Sequence, residues 1–286
     1  MQSTEKRNKL RKHLAGNICL QPASVFDPIS ARIASSLEFE FGMLGGSVAS
    51  AIILGAPDIN LITSTELADL VNRTTRASDI SLIVDGDNGY GNALNVMRTI
   101  NELEIAGASG ITIEDTVLPA PFGGSAKEVL IHPDEMVKKL DAAISAREDP
   151  STVIIGRTHA ANATNMSDAI QRIKAYQDVD LDAIFLTGIK ATDQLEQIAK
   201  ISRLPLMLGN TPNQLSNDIL STYNVKIVLR GHTAFTQSVI AIRNEYLSQI
   251  KSNNGLVSES KDSTDEEIME IALNSREQIS RQKKFL

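Results

Sequence analysis

The stretch SLIVDGDNGYGNALNVMRTINELEIAGASGITIEDT, Ser81 to Thr116, holds one full repeat unit of the fold. An apolar run rises from Ser81 to Val84 and ends in Asp85 and Asp87. A segment of helical periodicity follows (ALNVMRTINELEIAG) and closes at Gly107. A second apolar run, GITIEDT, then ends in Glu114 and Asp115. Both runs are nearly continuous in apolar character rather than alternating, as expected of parallel strands covered on both faces.

Working outward, eight such runs alternate with helix candidates: 18–25, 39–46, 81–87, 110–116, 152–158, 183–188, 204–209 and 225–231. Helix signals sit between them. Ser64 precedes Glu66, His132-Pro133 places proline in a first turn, and Gly107 ends a helix. Eight strand-helix repeats predict an α/β fold of the (β/α)8 TIM-barrel type. The competing doubly wound sheet would carry G-x-G-x-x-G after its first strand, and this chain has none there. The barrel domain is expected over 1–251, a polar Gly/Ser-rich linker over 252–264, and an amphipathic helix over 265–286. That extra helix carries an apolar stripe (Ile268, Ile271, Ala272, Ile279) to be buried on its own barrel or on a neighbouring subunit.

Composition narrows the function classes. Of 286 residues, 42% are hydrophobic and 22% charged, and the net charge is −7. No basic excess exists to neutralise phosphates, which argues against nucleic-acid or acidic-membrane partners. The basic start (Lys6, Arg7, Lys9, Arg11, Lys12) is expected to be a solvated first helix. Cys19 is the sole cysteine, so neither a disulfide framework nor a thiolate metal cluster is available. No run approaches the ~20 apolar residues of a membrane span, no secretory core opens the chain, and a cytoplasmic protein is the default expectation.

In a barrel of this type, function belongs at the C-terminal strand ends. Those ends carry Ser24 and Asp27, Gly45-Gly46-Ser47, Asp58, Asp85 and Asp87, Glu114 and Asp115, Arg157 and His159, Asn210, and His232. Carboxylates converging on one mouth repel one another unless a cation sits between them, and an oxygen-only donor set points to Mg²⁺ or Mn²⁺. The alternative for some of these acids is helix capping or pairing with Arg157. Asp85-Gly86-Asp87 fails the EF-hand pattern, which would put its fifth position at Gly89 and its twelfth at Val96. Gly45-Gly46-Ser47 is either a tight turn or a set of N–H and hydroxyl donors for a carboxylate. Arg157 suits bidentate carboxylate binding. His232 is either a substrate group or a hydrogen-bonded rim histidine. His13 and His132 fall on helices.

The motifs ASVFDPISARIA, GMLGGSVAS, VDGDNGYGNALNVMRTI, GITIEDT and IIGRT resemble the isocitrate lyase/phosphoenolpyruvate mutase superfamily, and within it the oxaloacetate decarboxylase branch. The resemblance runs from about Gln21 to Ser248. It implies a (β/α)8 barrel whose last helix is exchanged between subunits of a homotetramer built from dimers. It further implies Mg²⁺ bound directly by Asp85 and through water by Asp58, Asp87 and Glu114. Ser47, Arg157 and His232 are then substrate-binding and catalytic residues; the Gly46 N–H and Asn210, which stands where related decarboxylases can place a tyrosine, complete the expected substrate set. The substrate would be a small anionic 2-oxo acid, oxaloacetate, decarboxylated to pyruvate through an enolate. The lyases of the family carry a catalytic cysteine on a lid, but the corresponding loop here, LPAPFGGSAKEVL (118–130), has none. Cleavage of a substituted malate, C–P chemistry on phosphonopyruvate, and dicarboxylate binding without turnover are the rival readings.

Overall fold

The computed structural model describes residues 2–120, 122–123, 129–254 and 263–286. Each of the eight apolar runs contains a strand: β1 (Ala23–Ser24), β2 (Phe41–Leu44), β3 (Ser81–Asp85), β4 (Gly110–Glu114), β5 (Val153–Thr158), β6 (Ala183–Thr187), β7 (Leu206–Gly209) and β8 (Val225–Val228). The helices are α1 (Gln2–Leu14), α2 (Pro28–Ser36), α3 (Gly46–Leu54), α4 (Ser64–Ala77), α5 (Ala93–Ile105), α6 (Pro133–Ala146) and α7 (Ala160–Ala163). They continue with α8 (Met166–Tyr176), α9 (Thr192–Ala199), α10 (Asn217–Thr222), α11 (Thr233–Asn254), α12 (Asp265–Ala272) and α13 (Ser275–Phe285).

The strands pair in chain order, β1 to β8, and every pairing is parallel. The ring closes just ahead of β1. Leu20 bridges Ile227 in parallel, its N–H donating to Lys226 O (2.9 Å) while Val228 N–H donates to its carbonyl (3.0 Å). Continuous apolar strands are required because both faces are covered: every residue of β3 and of β4 is buried. Phe41, Met43, Ile83, Val153, Phe185 and Met207 fill the barrel interior, and two further apolar clusters lie between sheet and helices.

Helix starts follow capping chemistry. The α4 cap is Thr63, one residue before the expected Ser64, because the capping box needs Glu66 at the third helical position. Thr264 caps α12 in the same way with Glu267.

The basic first helix is not a solvated one. Leu10 and Leu14 enter the interior cluster, each contributing ~2 kcal/mol by burial. Gly110 is needed beneath α1, since a Cβ there would come within 2.9 Å of Leu10 Cδ2. Lys6 and Arg7 are buried. Lys6 Nζ donates to Thr75 O (3.1 Å) and Ser78 O (2.6 Å), at the C-terminal end of α4. Arg7 donates to Glu104 O (2.6 Å) and Ala108 O (3.0 Å), at the end of α5, and to Asp149 (2.6 Å). Arg11 donates to Ser151 O (2.9 Å) and Thr152 O (3.1 Å), just ahead of β5. Lys6 and Arg7 meet the negative poles and carbonyls of helix ends, which accounts for their burial. α1 is therefore a plug in the floor of the barrel, opposite the strand ends that carry the polar residues.

At the other end of the chain, α11 runs to Asn254, past the expected boundary at 251, and residues 255–262 of the expected linker lie outside the described residues. The segment 265–286 forms two helices rather than one, broken at Asn274, which takes a left-handed φ of +50°. Ile268 is buried, and Met269 and Leu273 pack on the barrel's own core, whereas Ile271 and Ile279 stay exposed. Of the loop 118–130, residues 121 and 124–128 lie outside the described residues.

Candidate active site

At the C-terminal strand ends the barrel opens on a cavity of ≈ 310 Å³. Ser47, Asp58, Asp85, Arg157, Asn210 and His232 line it. Asp87 and Glu114 are not among its lining residues but are buried next to it, and Gly46 contributes its backbone.

Asp85, the last residue of β3, is the hub. Its Oδ2 accepts from Arg157 Nη1 (2.7 Å) and Gly46 N–H (3.4 Å); its Oδ1 accepts from Thr112 Oγ1 (3.2 Å) and Asp87 N–H (3.3 Å). Glu114, which ends β4, accepts from His159 Nε2 (3.0 Å) and from the Thr116 hydroxyl. Arg157 Nε faces Glu114 Oε2 at 3.2 Å, off the hydrogen-bonding direction, so that contact is an ion pair. The guanidinium also lies 4.9 Å over the Phe185 ring. Asn60 Nδ2 approaches Asp87 Oδ2 at 3.5 Å. Asp87 and Tyr90 both take left-handed φ values, +47° and +61°, which turns the chain sharply after the strand.

The electrostatics are lopsided. Four carboxyls share this wall, and Arg157 reaches only Asp85 and Glu114. Burial and the neighbouring Asp85 and Glu114 push Asp58 up to about 6. Burial and the same acids raise Asp87 as well. Burial alone would raise Glu114, but Arg157 and His159 hold it below its ordinary value. Acids that resist ionising side by side mark unmet negative charge.

That donor set fits a hard divalent cation by its chemistry: oxygen only, anionic, and under-compensated. Among the described residues no three His, Cys, Asp or Glu side chains close on one point as direct ligands. A cation such as Mg²⁺, which keeps several of its waters and takes only one or two carboxylates directly, needs no such closure.

Not every strand-end acid belongs to this set. Asp27 caps α2 in a capping box with Ser30. Asp115 is fully buried and accepts from Tyr176 OH (2.7 Å) and Arg172 Nη1 (3.0 Å). Arg230 lines the cavity, but its guanidinium donates to Pro212 O, Leu215 O and Asn217 Oδ1. His13 bonds Lys226 O (2.8 Å), and His132 caps α6 at the exposed surface.

Several wall residues had no assigned role in the sequence: Ser24, His159, Phe185 and Thr187 line the cavity, and Thr112 bonds Asp85. The signal for two of them was the strand period of two. Thr112 precedes Glu114, and Phe185 precedes Thr187, by one inward-facing step.

Comparison with known proteins places this arrangement. The phosphoenolpyruvate phosphomutase family model matches residues 10–250. An oxaloacetate decarboxylase of Bradyrhizobium diazoefficiens is 51% identical over 238 residues, covering 83% of this chain and 82% of that one. One of Rhodopseudomonas palustris (strain TIE-1) is 51% identical over 239 residues, 83% of each chain. Among solved structures, phosphonopyruvate hydrolase in complex with oxalate and Mg²⁺ superposes with a TM-score of 0.78 at 27% identity, over 96% of this chain and 97% of that one. A 2,3-dimethylmalate lyase superposes at 0.77 with 24% identity, over 98% and 95%, and shows the shared fold alone. With its matched span covering the whole barrel, the chain belongs to the phosphoenolpyruvate mutase/isocitrate lyase superfamily.

Proposed function

We propose that this chain is a divalent-metal-dependent oxaloacetate decarboxylase, a lyase that releases CO₂ and leaves pyruvate. The observation that carries the reading is 51% identity to curated oxaloacetate decarboxylases along 83% of the chain, beside a family match over 10–250 that includes every strand end of the acid-lined cavity.

Asp85 would hold the cation directly, with Asp58, Asp87 and Glu114 holding its water; Mg²⁺ is the expected ion and Mn²⁺ a substitute. When bound, it supplies a Lewis acid to the 2-oxo acid end of the substrate. The chain's own groups do the rest. Ser47 and the Gly46 backbone offer short donors to the carboxylate next to the carbonyl. Arg157, fixed by Asp85, Glu114 and the Phe185 face, brings a charge that needs no reorganisation when negative charge develops at the C2 oxygen. As the C3–C4 bond breaks, its electron pair moves toward that oxygen, CO₂ leaves, and a proton added at C3 completes pyruvate. Burial lowers the pKa of His232, against the pull of Asp85, so the ring is neutral near pH 7 and serves as a hydrogen-bonding group for the departing carboxylate, beside Asn210.

The test is pyruvate formation from oxaloacetate by the chelator-treated protein, with and without added Mg²⁺ or Mn²⁺. Turnover is expected only with metal, and Asp85→Ala should lose it by at least ~10³-fold, since one direct ligand and the anchor of Arg157 go together. Metal-independent turnover, or activity surviving in Asp85→Ala, would refute the metal assignment. The same assay run on phosphonopyruvate and 2,3-dimethylmalate separates decarboxylation from the C–P and C–C reactions named for the solved neighbours. A cytoplasmic homotetramer with its C-terminal helices passed between subunits completes the proposal.

A further inference from the structure

Ser24 closes β1 and lines the cavity, and its Oγ lies 2.7 Å from His232 Nδ1. The other edge of the imidazole lies over Gly45. A Cβ on Gly45 would come within 2.7 Å of Nε2 and 2.8 Å of Cε1. The ring is thus held from both ends, by a hydroxyl on one side and by a bare backbone on the other.

Two features disfavour the imidazolium. The ring is half-buried, and His232 stands at the head of α11, where its carbonyl accepts from Phe235 N–H (3.0 Å) and Thr236 N–H (3.2 Å). A positive charge at a helix N-terminus opposes the helix dipole. A neutral imidazole carries one proton, and the partner of one nitrogen decides which nitrogen has it. The Nε2 edge is the one turned toward the acids: Gly45 beneath it is followed by Gly46, whose N–H donates to Asp85 Oδ2. With Nδ1 taken up by the Ser24 hydroxyl, Nε2 is the edge left to present a proton to the cavity that His232 lines. A serine hydroxyl, able to donate or accept, can then donate to Nδ1.

We infer that Ser24 is a positioning residue: its hydroxyl donates to His232 Nδ1 and keeps the proton of the neutral ring on Nε2, presented to an anionic group of the substrate. The inference rests on the decarboxylase reading, in which His232 meets the carboxylate that leaves. A neutral donor orients that carboxylate without a full counter-charge. A full positive charge would stabilise the ionised ground state more than the transition state approaching uncharged CO₂.

The experiment has two arms on the full-length protein. Long-range ¹H–¹⁵N correlation spectra of ¹⁵N-histidine protein at pH 7.5, assigned by loss of signals in His232→Ala, should show Nε2–H for His232. Ser24→Ala should give a mixture of tautomers. An Nδ1–H or imidazolium pattern in the unaltered protein overturns the inference even if no variant folds. In the kinetic arm, Ser24→Ala should lower kcat about tenfold with KM within ~2-fold, the scale of one lost hydrogen bond. Ser24→Thr, which restores the hydroxyl, should stay within ~3-fold of the parent protein. In a His232→Ala background, Ser24→Ala should have no further effect. Multiplicative losses would show that Ser24 acts apart from His232 and would overturn the proposal. A His232→Ala protein with full turnover overturns it through the reading beneath it. That failure is distinguishable from an Nδ1–H spectrum in a protein whose His232 is essential.

Discussion

At Gly45 a single added methyl reaches the site without touching any carboxylate. Gly45→Ala puts a Cβ 2.7 Å from His232 Nε2, so the imidazole must leave its place between Gly45 and Ser24. A loss of at least ~10-fold in kcat/KM is expected, with the thermal midpoint falling only a few degrees, as a coupled pyruvate assay and a melting curve would show. Cys19 behaves oppositely. Burial pushes its thiol up to about 11, which leaves about one thiolate in a thousand at pH 8. Iodoacetamide should therefore leave the folded protein unlabelled on a timescale that fully labels it in denaturant. Asp85 stands out in the sequence as an acid ending an apolar run, and the structure puts it in the cavity wall with Asp87 buried beside it. The contact of His159 with Glu114 was not legible there, since it depends on how the ends of β4 and β5 stand beside each other. Asp27 and Asp115 look like Asp85 in the sequence, and only their partners, Ser30 in one case and Arg172 with Tyr176 in the other, take them out of the mouth.

Among the elements, α1 was misread for a physical reason. A count of basic residues cannot show that the ends of α4 and α5 would offer carbonyls to them. Removing the guanidinium of Arg7 would strand the buried carbonyl of Ala108 and take a cation away from Glu104 O and Asp149. Arg7→Ala should cost about 3–5 kcal/mol in urea unfolding, against ~0.5 kcal/mol for the exposed Lys9→Ala. The same joint sets a response to acid. Burial works against ionisation of Asp149, but Ser151, Arg7 and Thr4 hold its carboxyl well below the usual carboxylate range. A carboxyl depressed in the folded state contributes stability in full above its unfolded value of ~3.9, and loses it as the pH falls toward the folded value. Between pH 5 and pH 3 the protein should therefore lose more stability than Asp149→Asn does over the same interval, by urea unfolding at each pH. Seven of the strands were legible because they are buried almost throughout and so carry few polar interruptions, whereas β1 is only half-buried and stands out less. The break in the C-terminal segment was hidden because Asn274 is an unremarkable helix residue until it takes a positive φ.

At the scale of the molecule, the outer surface is unevenly finished. Ile29, Ile33 and Leu37 of the α2 region, Ile242 of α11 and Ile271 of α12 are exposed, and a groove of ≈ 1020 Å³ runs between α2, α3, α11 and α12. Monomers rarely leave apolar surface of this extent uncovered. Size-exclusion chromatography with light scattering should give a tetramer for the full chain and a smaller species for a chain ending at 262. An unchanged mass after that truncation would argue against any role of α12 and α13 in assembly. The barrel itself was legible from repetition alone, whereas a single chain's sequence carries no repeat that would disclose what lies against this groove.

The floor plug makes chain order and assembly order run in opposite directions. α1 leaves the ribosome before every group that receives it, and those groups extend from Thr75 and Ala108 through Ser151 to Lys226, whose carbonyl takes His13. The carbonyls for Lys6, Arg7 and Arg11 emerge in turn, at Thr75, Ala108 and Ser151, and the interior that Leu10 enters is complete only when strands as late as β8 have followed. Contacts spanning so much of the chain are slow to close. The basic character of the helix keeps it soluble through that wait, and the same charges become its anchors once the barrel is complete.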